Sequence, residues 1–433
     1  PSTVTSIGLG AFCRCKDLKS VVIPSLVTSI AVKTFFMCSE LTSVVIPSTL
    51  TSIGSEAFRG CGKLTDITIP STVTSIGFGA FESCSSLKNM TLYTASLGSD
   101  VFESCSSLVE LTILSNSITS LPMEMCRSCR ALINVTIPSS VTSIKSLAFS
   151  GCSSLTSIYI PSSVTDIDSN AFSSCRSLKE IEIPSSVTNV GNSVFEECSS
   201  LTSVSIPTSI IRIPNNMFRY CRSLINFQIS SLMTAIGESA FSGCTSLTSI
   251  HIPSSVTTIG EYAFSGCTSL KNITVDPSNQ NFTVVDNVMF SKDMTQIVLY
   301  PLADPRTSYA IPSGVTSIGT SIFAYNRMLK VVTIPPSVTV IGGGAFYNCS
   351  LTSIEIPSAL KTIGNSAFCY CPLTSVEIPS SVKSLGRYAF SHTLLTSIQF
   401  QPGVETIGAY AFSYCNFLEN ISLPSTVTSI EQH

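Results

Sequence analysis

Apolar and polar positions along this chain recur every 22 to 23 residues. One clear copy runs from Ile160 to Pro184, IPSSVTDIDSNAFSSCRSLKEIEIP, and close copies begin at Ile46 and Ile252. Aligned, the copies place phenylalanine in one column, with Phe58, Phe172, Phe264 and Phe346 among its members. A branched aliphatic stands five residues before it, a cysteine three after it and a leucine three beyond that. From the leucine the chain reads Leu-x-x-Ile-x-Ile, as in Leu155, Ile158 and Ile160. Alternation with period two over a short run predicts a strand with one buried face. The proline that follows, such as Pro161 or Pro184, has no amide hydrogen and ends the ladder. Val-Thr-x-Ile-Gly predicts a second, shorter extended piece, and Ala-Phe-x-x-Cys a tight helical or 3-10 turn. One coil cannot bury its own apolar face, whereas stacked coils share a continuous core. The prediction is a right-handed parallel repeat solenoid of 22–23-residue coils, with short parallel strands, turns and short helical or 3-10 segments.

The array reads as residues 1–275, an insertion at 276–310, and the same array continued over 311–433. Its register stumbles at 93–137, where Tyr93 and Ser115 stand near the place of the turn proline. In the insertion, FTVV, VMF and TQIVLY are separated by turn residues at Asp286-Asn287 and Ser291-Lys292-Asp293. That pattern predicts a β-hairpin or meander projecting from the solenoid, carrying function as loops on scaffolds often do or serving as a spacer between two stacks. The chain starts at Pro1 and ends at His433, each inside a repeat, as expected of a piece of a longer protein.

Composition narrows the function. Of 433 residues, 44% are apolar and only 11% charged, with Ser and Thr supplying surface polarity. A net charge of −3 without a basic block argues against nucleic acid and against electrostatic membrane binding. No signal peptide or apolar span is visible. All but Cys13, Cys126 and Cys369 of the 18 cysteines lie in the one column. Cysteines at repeat spacing read as buried free thiols, packing as small apolar groups, rather than as a disulfide framework. Cys126 and Cys129 form a Cys-x-x-Cys, but they occupy the phenylalanine and cysteine slots, so core packing is the reading preferred over redox or metal chemistry. Three histidines, no tryptophan, no Gly-rich phosphate loop, no H-E-x-x-H and no G-x-S-x-G leave no catalytic constellation. No enzyme activity, cofactor or metal site is expected.

Taken together, the L-x-x-I-x-I-P strand, the V-T-x-I-G segment and the A-F-x-x-C turn resemble the BspA-type leucine-rich repeat family over nearly the whole chain. The Asp-Asn-Val-Met-Phe-Ser-Lys-Asp run of the insertion is similar to one that recurs there. The resemblance departs at 93–137, at Asn326 and at His392-Thr393, where the cysteine column lapses. It implies a leucine-rich repeat array and a cell-surface or secreted protein. It also implies adhesion to host extracellular matrix, host-cell glycoproteins and other microbes, with a part in host–pathogen interaction and virulence. The family supplies no binding residues to carry over.

Residues between the buried strand positions form an outward column. It is mostly small, but from Tyr159 through Glu182 and Gln228 to His251 it offers an aromatic, a carboxylate, an amide and an imidazole. These four are the candidate ligand-binding residues, because the sheet face of a solenoid is rigid and built from replaceable side chains. N-glycosylation sequons occur at Asn89, Asn134, Asn272, Asn281, Asn348 and Asn420. Three functions are weighed: an adhesin that binds through this face, a structural stalk that displays another domain without a ligand of its own, and a Thr-rich flat array for glycan or ice binding, against which the lack of a regular T-x-T on one face counts.

Overall fold

A computed structural model describes residues 3–431. By contacts the chain divides into two compact units, Pro1–Leu224 and Ile225–His433. Each is a stack of parallel β coils.

In the first unit, Leu-x-x-Ile-x-Ile forms strands such as Ser20–Val22, Ser43–Val45, Asn89–Leu92, Glu110–Ile113 and Glu180–Glu182. Neighbours pair in parallel at repeat spacing, Ser20 with Ser43 and Glu180 with Ser203. The Val-Thr-x-Ile piece forms a second ladder of two-residue strands, Ser52–Ile53 pairing with Ser75–Ile76 and Ser143–Ile144 with Asp166–Ile167. The register stumble is visible here. Ser96–Leu97 closes one four-stranded sheet and Ser120–Leu121 opens the next, with no pairing between them among the described residues.

The proline turn is a β-turn in which the valine N–H donates back to the proline carbonyl, as Val164 does to Pro161 at 3.1 Å. Its hydroxyls are structural. Ser163 donates to the Val141 carbonyl and Ser186 to the Val164 carbonyl, each at 2.6 Å, one coil back. The recurring Ser and Thr thus do more than wet the surface: they satisfy backbone acceptors between coils.

The Ala-Phe-x-x-Cys segment forms tight turns with i→i−3 bonds, as a 3-10 turn would, but no helix occurs among the described residues. Alternate amides leave the coil. Glu56, Phe58 and Gly60 donate to the carbonyls of Phe78, Ala80 and Glu82 in the following coil, at 2.7 to 2.8 Å. The amides between them bond back within the coil, as Ala57 to Gly54 and Cys61 to Phe58. This pattern needs a left-handed residue on each side of the phenylalanine. Glu56 (φ 54) and Gly60 (φ 74) flank Phe58, and Leu147 (φ 60) and Gly151 (φ 76) flank Phe149. A left-handed L-residue costs about 1–2 kcal/mol. Three inter-coil hydrogen bonds per coil hold it there. A helix would turn those amides inward and leave the coils unjoined at this edge.

The core follows the columns. Phe149, Phe172 and Phe195 are fully buried and stack at 5.6 and 5.9 Å. The cysteines are free and, except Cys13 and Cys15, buried. Buried thiols of the column have a directed role as well as a packing one. Cys61 Sγ donates to the Phe35 carbonyl and Cys175 Sγ to the Phe149 carbonyl, each at 3.2 Å, one coil back. Burial pushes Cys175 up to about 12, so its thiol stays protonated and inert.

The second unit repeats this plan with one interruption. Phe282–Val285, Val288–Ser291 and Gln296–Leu299 form an antiparallel meander, and the last strand pairs in parallel with Ser317–Ile318 of the next coil. The expected projection from the solenoid is not what forms. Val288, Phe290, Ile297 and Tyr300 lie in one apolar core with the coils that follow. Buried Asn279 anchors the start: its Nδ2 donates to the Pro253 and Val256 carbonyls, and its Oδ1 accepts from Asn281 and Phe282. Asp286 and Asn287, both at positive φ, make the tight hairpin turn. The Asn287 amide then pairs with strand Asn272–Val275 as a rung would, donating to Lys271 O and accepting from Ile273 N.

Candidate functional site

The four candidate residues fall in different units. Tyr159 and Glu182 belong to the first, Gln228 and His251 to the second. All four are exposed.

The structure brings Tyr159 and Glu182 together. They line one open groove of about 840 Å³ on the strand face, with Ser157, Ser162, Ser185 and Ser205 around them. Tyr159 is 74% exposed, its ring standing clear of the face. It does not sit on a paired strand as expected. Pairing lapses around it, while Ile158 and Ile160 on either side still point into the core. Glu182 is the last residue of the paired strand Glu180–Glu182, so its carboxylate is held on a rigid element.

His251 lies on strand Ser249–Ile252, opposite Thr274, and its Nδ1 is 3.0 Å from the Thr274 hydroxyl. Gln228 lies outside paired strand, two residues after the bridge of Asn226 with Ser249. The second unit has a strand-face groove elsewhere, of about 460 Å³, around Thr333, Glu355, Glu377 and Gln399. Gln401 donates to Glu377 there at 2.6 Å. These residues belong to the outward column, and no one of them stands out alone. The signal that finds them is the run of two carboxylates on successive coils.

One titratable cluster lies on the turn edge of the first unit. Carboxylate oxygens of Glu82, Asp100 and Glu103 lie within 4.8 Å of one another. Burial, then like charge, raises all three above the ordinary carboxyl range, against the opposing pull of Arg59 and Arg127. Arg59 pairs with Glu82 at 2.8 Å, and Arg127 pairs with Glu124 at 2.7 Å and Glu103 at 3.5 Å. The arrangement is an ion-pair network closed by its own guanidinium groups. Cys126 and Cys129 are both buried in the core. Cys129 Sγ is bonded to the Phe102 carbonyl at 3.0 Å, and burial raises Cys126 well above the usual thiol range. Core packing accounts for both.

A family model of the BspA type leucine rich repeat region (6 copies) matches residues 5–129, 119–246, 211–343 and 339–433. The chain belongs to this family. A search of the curated proteins found no match. Among solved structures, the BspA-type chain is similar to a leucine-rich repeat protein from Bacteroides ovatus. Identity is 27% over 92% of this chain and 88% of the other, with a TM-score of 0.59. It is also similar to a leucine rich cell surface protein from Faecalibacterium prausnitzii at 26% identity, over 96% and 87% of the chains, TM-score 0.42. The pneumococcal vaccine antigen PcpA matches at 22% identity over 85% and 91%, TM-score 0.43. Family and fold are those of a repeat scaffold. No helix among the described residues is long and apolar enough to cross a membrane. Of the sequons, Asn89, Asn134, Asn272, Asn281 and Asn420 are exposed, while Asn348 is half-buried. Asn89, Asn134 and Asn272 each open a strand, at the margin of the face that carries the grooves.

Proposed function

We propose that this BspA-type array is the binding part of a cell-surface or secreted adhesin. It engages host extracellular-matrix, host-cell or microbial glycoproteins through its strand face. The observation that carries the reading is the groove in which Tyr159 stands exposed beside Glu182. A large amphipathic ring on a rigid face, beside a carboxylate and several hydroxyls, suits polar, wet recognition of a protein or glycan surface. Family membership supports the same role. The charged turn edge of the first unit contributes less, because its carboxylates are paired with its own guanidinium groups.

The test is binding to immobilised matrix proteins, mucins and whole host cells, with Tyr159→Ala and Glu182→Ala beside the unaltered chain. An anchor of this kind is worth at least about 2 kcal/mol, so Tyr159→Ala should weaken saturable binding by roughly 30-fold or more. Undiminished binding by both variants would remove the groove from the account. Absence of any binding would favour a stalk without a ligand of its own.

A further inference from the structure

The turn ladder of the second unit is missing a rung. In each regular coil, three amides of the Ala-Phe-x-x-Cys segment donate to the next coil. Ser239, Phe241 and Gly243 donate in this way to Glu261, Ala263 and Ser265. The amides that would continue the ladder are those of Tyr262, Phe264 and Gly266. Among the described residues, nothing accepts from them. The ladder resumes when Ser321, Phe323 and Tyr325 donate to Gly343, Ala345 and Tyr347. By the same register, the carbonyls of Thr320, Ile322 and Ala324 should accept from a preceding coil. Among the described residues, nothing donates to them.

The cause is in the sequence. The meander replaces a coil but has no Ala-Phe-x-x-Cys phrase. It supplies the interior layer only. Tyr300 takes the phenylalanine position, its ring 4.8 Å from Phe323. The outer turn has no counterpart, and a cleft of about 340 Å³ opens there between residues 259–265 and 319–322. Tyr300 lines this cleft, is fully buried, and has a hydroxyl with no hydrogen-bond partner among the described residues. A buried polar group without a partner is costly. Donors on one wall, acceptors on the other and an orphan hydroxyl all call for a polar occupant.

We propose that this cleft binds a short extended segment of a partner polypeptide, which completes the rung through its main chain. Its carbonyls accept from the N–H groups of Tyr262 and Phe264, and its own amides donate to Thr320 and Ile322, the residues that line the cleft. This is strand addition with both edges used instead of one. Such recognition selects backbone first and side chains second. Tyr300, Phe282 and Leu302 already fill the interior, so inward residues of the segment must be small. Glu261 is the one charged residue among those lining the cleft, and it is exposed. A Lys or Arg on the outward side of the segment therefore complements it. The site is separate from the Tyr159 groove and does not depend on it.

Amide hydrogen exchange tests the proposal. In the free protein, the amides of Tyr262 and Phe264 should exchange at least about tenfold faster than those of Ser239 and Phe241. The probe is a synthetic heptapeptide, acetyl-Gly-Ser-Lys-Ala-Gly-Ser-Gly-amide, at up to millimolar concentration. It should slow exchange across 262–264, and the same peptide methylated at alternate amide nitrogens should not. Gln296→Trp, at the exposed edge of the cleft, should abolish this protection while leaving exchange at 239–243 unchanged. Glu261→Lys should weaken the peptide's binding by about tenfold. Full protection of 262–264 in the free protein would overturn the proposal. So would equal protection by the methylated peptide, or none by the unmodified one.

Discussion

The two units have the same inward columns but present different turn edges. In the first, the edge is charged: Arg59 with Glu82, Arg127 with Glu124, Arg176 with Glu197 and Arg219 with Glu196. In the second it is aromatic. Tyr370, His392 and Tyr414 stack at 4.2 and 4.3 Å, and Tyr388 stacks on Tyr410 at 4.7 Å with Arg387 over both rings. The backbone beneath is the same, with left-handed residues at the same offsets from phenylalanine. The difference teaches that this fold constrains the columns facing inward and leaves those facing outward free. It also shows where the plan fails: the first unit keeps its turn ladder through its stumble, Phe102 donating to Met125, while the second loses a rung at the meander.

The largest effect should come from the phenylalanine column. Phe172 has a ring on each side, whereas Phe264 stacks on Phe241 and faces the cleft beyond. Phe172→Ala should cost about 3–5 kcal/mol. Phe264→Ala should cost roughly 1 kcal/mol less, for want of the second ring pair. Urea titrations of both variants give the comparison, and equal losses would mean that the cleft is as tightly packed as a regular layer.

Next comes the cysteine column. Cys175→Ala removes the thiol bond to Phe149 and should cost about 1–2 kcal/mol. In the second unit, Thr393 stands in the cysteine slot and turns its hydroxyl back to Phe390 at 2.8 Å. Thr393→Cys should restore the inter-coil bond and stabilise by up to about 1 kcal/mol. A loss in thermal unfolding would show that the threonine is the better fit.

Smaller effects separate the edges. Leu147 holds φ 60 with its side chain half-buried, so Leu147→Gly should relieve strain of about 1 kcal/mol. Tyr370 holds φ 63 but stacks on His392. Tyr370→Gly should therefore gain the same relief and lose a ring contact of about 0.5–1.5 kcal/mol, leaving stability nearly unchanged. Melting temperatures of the pair decide it, and a clear rise for both would mean the aromatic edge adds nothing.

The subtlest contrast is in pH. Glu82, Asp100 and Glu103 have raised values in the folded chain, so the native state holds their protons more tightly. Their contribution is fully present below the ordinary carboxyl range and is lost as pH rises through the raised values. Asp304 is the reverse. Its bonds to Arg306 at 2.7 to 2.8 Å lower it, so its contribution is present above the ordinary range and lost as pH falls through the lowered value. On mild acidification, exchange protection around 82–103 should increase while that around 286–306 holds; only below the ordinary carboxyl range should protection around 286–306 decrease, after correction for intrinsic exchange. Parallel changes in both segments would mean that these groups do not govern local stability.

Much of this was legible beforehand. The Phe, Ile, Leu and Cys columns are the buried core, and the lapses at Asn326 and Thr393 are real changes of hydrogen bonding. Ala-Phe-x-x-Cys has the spacing of a helical or 3-10 turn, and its i→i−3 bonds form without a helix. Its alternate amides are claimed by the neighbouring coil, which local propensity does not register. The polar turns of the meander look like those of a projecting surface loop, whereas Tyr300 and Phe290 face the core. Of the site, the outward column was readable, but not that Tyr159 and Glu182 share a groove while Gln228 and His251 lie elsewhere.

The sequence by itself determined the coil, its period and its inward columns, because a repeat that cannot bury its own apolar face has one way to do so. It determined the family as well. The tertiary structure alone decided what stacking does to the backbone. Whether an amide at the turn edge is paired depends on the presence of the next coil, not on its own residue. Tyr262, Phe264 and Gly266 read like any other turn, and only the meander folded beside them leaves their N–H groups open.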